Sequence, residues 1–193
     1  MTRRRVGALG PADRVTLLRA VLGCVLAALV AGSLTVPPPT GVLVGLATVT
    51  LLLDAVDGPV ARRTGTASSF GAAFDMEVDA FVLLVLSVAV VGSVGPWVLL
   101  IGAARYLLLA ATWLWPWLRR PVPVRYWAKV VAATQGVVLT VAMAQVLPPR
   151  VIDLLLVAAI GLLAESFGHQ VWWLHRHREA DAAPTRSRVQ VTR

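Results

Sequence analysis

The sequence predicts an all-α membrane protein: six transmembrane helices with an N-terminal interfacial amphipathic helix. Three features lead there. The 193 residues are 58% apolar and 15% charged, with a mean hydropathy of +0.75, which does not describe a soluble domain. Long apolar runs alternate with short breaker-rich connections. The basic residues gather in every second connection, as the positive-inside rule requires of a multispan protein. Seven Trp, 15 Gly and 12 Pro also suit bilayer helices, where Trp sits at interfaces and Gly and Pro are commoner than in soluble helices.

The elements follow in order. Residues 11–20 begin with Pro11 and Asp13 and continue through Val15, Leu17 and Leu18, the pattern of an interfacial helix leading into the first span. Hydropathy and breakers place the spans at about 20–36, 41–53, 80–91, 97–118, 128–147 and 151–174. Trp97 marks one interface, and Trp113, Trp115, Trp117, Trp127, Trp172 and Trp173 mark the other. A cleavable signal peptide fits poorly, because no small-residue cleavage site ends the first run and further spans follow. From Glu179 the chain is polar, small and basic, with Pro184 and no apolar period, so residues 179–193 are expected to form a disordered basic tail. Cys24, alone of its kind, cannot form an internal disulfide.

A formal charge of +8 raises nucleic acid as a partner, and the placement of the charge argues against it. Arg3, Arg4, Arg5, Arg14 and Arg19 precede the first span, and Arg62 and Arg63 follow the second. Arg119, Arg120, Arg125 and Lys129 follow the fourth, and Arg176, Arg178, Arg186, Arg188 and Arg193 end the chain. The intervening connections hold Arg150 as their one charge. Both termini are therefore expected on the cytoplasmic side of the cell membrane.

The second and third runs are too short to cross alone. Thirteen residues, 41–53, give roughly 20 Å of helix against a hydrocarbon core of about 30 Å. The second helix must continue through Asp54 and Asp57, and the third must begin before Asp79 and Asp75. Two antiparallel helices then bring four carboxylates to one level near the cytoplasmic face. Asp54 and Asp57 are three apart, and Asp75 and Asp79 four apart, so each pair shares a helix face. Glu77, two residues from each neighbour, points elsewhere. Carboxylates at membrane depth cost about 2.5–3.5 kcal/mol each on insertion scales and demand partners. Oxygen ligands without His or Cys suit Mg²⁺ or Mn²⁺. Four such groups can hold two ions about 3.5–4 Å apart, the arrangement that serves phosphoryl displacement. The bland reading pairs these acids with Arg62, Arg63 and the other bases on that side. It leaves the helical spacing of both pairs, and the small residues between them, without a role.

Those small residues carry a resemblance. From Asp54 to Asp79 the chain reads Asp-Ala-Val-Asp-Gly-Pro-Val-Ala-Arg, eight residues, then Gly-Ala-Ala-Phe-Asp-Met-Glu-Val-Asp. This resembles the signature of the CDP-alcohol phosphatidyltransferase family at Asp54, Asp57, Gly58, Ala61, Arg62, Gly71, Asp75 and Asp79. Residues 11–19 resemble that family's amphipathic N-terminal segment, and the six-span layout agrees over most of the chain. The resemblance implies one membrane domain over 1–178. It also implies transfer of a phosphatidyl group from CDP-diacylglycerol to an alcohol, with release of CMP. Asp54, Asp57, Asp75 and Asp79 would be metal ligands for Mg²⁺ or Mn²⁺, with Asp79 also the base that takes the acceptor's proton. Gly58, Ala61, Arg62, Ser68 and Gly71 would meet the CDP-lipid. A homodimer is implied as well.

The acceptor is less legible. Arg105 lies eight residues past Trp97, roughly 12 Å into its span, where an Arg needs a partner or a cavity. Arg125, Lys129 and Gln135 open the fifth span on the carboxylate side and could hold the phosphate of a phosphorylated alcohol; the alternative is that they only set topology. Lys129, Thr134 and Gln135 resemble the start of the corresponding helix in the phosphatidylglycerophosphate synthase branch, which implies glycerol 3-phosphate. The charged fourth span usual there is reduced to Arg105, so inositol phosphate and phosphatidylglycerol stay open. His169, His175 and His177 do not share one helical face and make a poor zinc set. A reading from another class is a cation carrier whose aspartates form the transport site.

Overall fold

A computed structural model of the chain describes residues 11–33, 39–64, 69–115 and 126–177. Those residues form α1 (Pro11–Gly32), α2 (Thr40–Thr64), α3 (Ser69–Val94), α4 (Leu99–Leu114), α5 (Tyr126–Ala144) and α6 (Pro149–His177), with a 3₁₀ turn over Pro96–Val98 and no strand among them. Five segments are long and apolar enough to cross a membrane: Arg14–Gly32, Gly71–Val94, Pro96–Leu114, Trp127–Ala144 and Pro149–Leu174. Thr40–Val56 is a shorter apolar stretch. The protein is an all-α, multi-pass membrane protein.

The short second run is completed as its length demands. α2 continues past Leu53 to Thr64 and carries both Asp54 and Asp57; its 25 residues reach roughly 37 Å. α3 starts at Ser69 and carries Asp75 and Asp79 in its first half. The amphipathic segment at residue 11 runs without a break into the first span as one helix, α1, opened by Pro11, whose missing N–H is no loss in a first turn. The fourth span is helical to Leu114, Trp115 is extended, and the rest of the expected run to 118 lies outside the described residues.

α1 and α2 each bury one stripe. On α1 it is Thr16, Arg19, Gly23, Leu26 and Val30; on α2, Leu43, Ala47 and Thr50. The spacings of three and four are those of a single helical face. The next position on the α2 stripe is Asp54. On α3, Val82, Leu86 and Val90 are buried, and the same stripe continued backwards meets Asp79 and Asp75. The aspartates therefore extend the packing faces of their helices. α3 lies centrally, against α1, α4 and α5; α2 packs on α1 and α5, and α6 on α5 and α4. Leu26, Leu86, Leu139 and Leu156 are fully buried in this core. Leu154, Leu107 and Trp113, apolar and exposed, face outward, as a lipid solvent permits.

Two glycines set the geometry on the α3–α4 side. A Cβ on Gly102 would lie 2.5 Å from Leu84 Cα and 2.8 Å from Ser87 Oγ, so the two backbones cross at a distance that no side chain allows. Gly95 holds φ at +115°, a conformation that favours glycine, and with Pro96 it turns the chain from α3 into α4.

Candidate metal and active site

Three helices meet at the acidic end of the bundle. Asp54 comes from α2, and Asp75 and Asp79 come from consecutive turns of α3. Each can offer one carboxylate oxygen within 4.8 Å of the others. α1 contributes a cation to the same point. Arg19 Nη1 donates to Asp75 Oδ1 at 2.5 Å, and Nη2 lies 2.9 Å from Asp54 Oδ1 and donates to Asp79 Oδ1. One guanidinium thus spans three carboxylates, through charge-assisted hydrogen bonds of the strong kind. The Arg19 side chain is 2% exposed, whereas Asp54, Asp75 and Asp79 are 32%, 33% and 34% exposed. The cation enters from the packed side, and the carboxylates keep an open side.

The pairing of acids with nearby bases is therefore present, and among the described residues its base is Arg19. By sequence pattern Arg19 counts only among the charges that set topology. A signal is there nonetheless: Arg19 falls three residues after Thr16 and four before Gly23, on the stripe that Leu26 and Val30 continue. Helical periodicity puts it on the buried face.

Of the residues expected at the site, Asp54, Asp75 and Asp79 are brought together. Asp57, Gly58, Ala61 and Arg62 lie in the last turns of α2, with their side chains outside the described residues. Gly71 lies in the first turn of α3 and is partly buried. Ser68 and Arg125 lie outside the described residues, as do 179–193. Lys129 is exposed in the first turn of α5. Arg105 pairs through Nη2 with Glu77 Oε1. Glu77 is two residues from Asp75 and from Asp79, about 200° around the helix, so this ion pair stands on another side of α3. Gln135 is fully buried, and its Nε2 donates to Ala159 O at 2.8 Å, tying α5 to α6. On α6, Arg176 lies 4.3 Å from the centroid of the Trp172 ring, and His169 packs against the same indole with ring centroids 5.7 Å apart.

The donor set suits a hard divalent cation. Its ligands are oxygens alone, they converge, and they already draw a positive group into their midst. Fold and site together define a multi-pass membrane protein with a carboxylate cluster at one end of its bundle that could hold a divalent ion. The family model for CDP-alcohol phosphatidyltransferase matches residues 11–174, and the chain belongs to that family. No curated protein and no solved structure matches it. The family is one of divalent-metal-dependent transferases of phospholipid synthesis, which move a phosphatidyl-type group from a CDP-alcohol to an alcohol acceptor.

Proposed function

We propose that this protein transfers the phosphatidyl group of CDP-diacylglycerol to glycerol 3-phosphate, yielding phosphatidylglycerophosphate and CMP. The observation that supports this most directly is the convergence of Asp54, Asp75 and Asp79 within 4.8 Å in a chain of this family. Asp57 follows Asp54 by three residues on α2 and completes the ligand set. Two ions, Mg²⁺ or Mn²⁺, would neutralise the diphosphate oxygens and the departing CMP.

Asp79 accepts the proton of the attacking hydroxyl, whose oxygen forms the new bond to the lipid-bearing phosphorus as the bond to the CMP oxygen breaks. Arg62, with Gly58, Ala61, Ser68 and Gly71, holds the CDP moiety; the small residues let the nucleotide approach the backbone. Lys129, Arg125 and Arg105 attract the acceptor's phosphate. Lys129 lies exposed in the first turn of α5, while Arg105, held by Glu77 on another side of α3, reaches the acceptor only by leaving that pair. The active site faces the cytoplasm, and the protein is a homodimer in the cell membrane.

The deciding experiment offers purified protein and labelled CDP-diacylglycerol a panel of glycerol 3-phosphate, inositol phosphate, inositol, serine and phosphatidylglycerol, and identifies the lipid formed. Phosphatidylglycerophosphate is expected. An inositol lipid or cardiolipin would move the assignment to another acceptor within the same reaction. Metal flux into proteoliposomes without CMP release would replace it with a cation carrier.

A further inference from the structure

Arg19 stands at the centre of the acidic site, and neither the metal nor the transfer chemistry assigns it a part. Its two terminal nitrogens engage one oxygen from each of Asp54, Asp75 and Asp79. Its position follows from helix packing: Gly23, one turn further along α1, lies against Phe81 and Val82 of α3, with 3.2 Å from its Cβ direction to Val82 Cγ2. That contact sets α1 at the height where Arg19 meets Asp79.

We infer that Arg19 is a positioning residue that serves as the site's resident cation: it holds the three carboxylates together before a divalent ion arrives, and it competes with that ion for the same oxygens. The inference rests on the metal-dependent reading of the site given above. Carboxylates this close repel strongly in a low-dielectric setting unless a positive charge lies among them. A guanidinium keeps its charge under all ordinary conditions, so Arg19 cannot become neutral when a metal binds; it must share or yield its oxygens. Because it approaches from the buried side and the carboxylates are open on the other, exchange requires no passage of the ion through the helix packing.

The test uses the full chain in detergent or nanodiscs, as wild type, Arg19→Gln and Arg19→Lys. Thermal melting in EDTA reads the metal-free site. Mn²⁺ titration, followed by loss of the free-ion EPR signal, reads affinity without reference to turnover. Arg19→Gln is expected to melt lower in EDTA yet bind Mn²⁺ ~10-fold or more tightly, since a positive charge a few Å from the ion is removed. Arg19→Lys, with one charge and no fork, falls between wild type and Arg19→Gln in both readouts. A purely structural role would lower stability and Mn²⁺ affinity together, and that result overturns the proposal. Equal Mn²⁺ affinity in wild type and Arg19→Gln removes the competition and leaves the metal site standing. Failure of both proteins to take up Mn²⁺ overturns the metal reading and the competition with it. If Arg19→Gln does not fold without metal, Arg19→Lys carries the test, and unchanged affinity in that variant overturns the proposal.

Discussion

Asp79 is asked to do the most of any single side chain, as proposed ligand and proposed base. Asp79→Asn keeps the shape and removes the proton acceptor, so CMP release should fall by about 10²- to 10⁴-fold. CMP release at the wild-type rate would remove the base assignment. Arg105 gives a finer test. If its guanidinium attracts the acceptor phosphate, Arg105→Gln should raise the acceptor KM by about 10- to 100-fold, the worth of one charged hydrogen bond, and leave the KM for CDP-diacylglycerol almost unchanged. Equal rises in both would assign it to packing with Glu77. The aspartates were legible because their spacings of three and four name a helix face without knowledge of the fold. Arg19 was not, because a basic residue at the start of a span satisfies the charge rule whether it reaches water or turns inward. Its partners lie 35, 56 and 60 residues away in the chain.

At the scale of the element, the helices hold their separations through small residues. Gly102 presses on the backbone of α3 at Leu84, so Gly102→Val must push α4 outward. A loss of about 1–3 kcal/mol is expected from overpacking of this kind, read as a lower melting temperature in detergent. A Cβ added at Gly161 on α6 would meet nothing within 4 Å, and Gly161→Ala should cost nothing. Gln135 is the opposite case. Its Oε1 is buried with no hydrogen-bond partner among the described residues while Nε2 bonds across to α6. Replacing both groups by an apolar side chain of similar length, as in Gln135→Met, should change stability by less than about 1 kcal/mol, because interhelical hydrogen bonds in membranes are worth little more than half that. Helix lengths were readable in advance: a run of thirteen apolar residues cannot cross a bilayer, and α2 accordingly continues through both aspartates.

For the whole molecule, the alternation of basic and uncharged connections predicts that the acidic end faces the cytoplasm. In a Cys24→Ser background, Ser93→Cys, at the exposed far end of α3, should react with a membrane-impermeant maleimide on intact cells. Ala128→Cys, exposed at the start of α5, should react only after the membrane is opened. The reverse pattern would invert the topology and place the site outside.

Composition, breakers and charge order were enough to determine an all-α membrane bundle, the extension of its short helices, and the level at which Asp54, Asp75 and Asp79 meet; the motif between them was enough to indicate the family. These are properties of position along a helix and around it, which a period of 3.6 residues fixes locally. Which oxygens converge, that Arg19 is the cation among them, and that Arg105 answers to Glu77 were decided by the tertiary structure alone. Such contacts depend on how each helix is rotated and raised against its neighbours, and that is set by packing at points such as Gly23 and Gly102, between segments far apart in the chain.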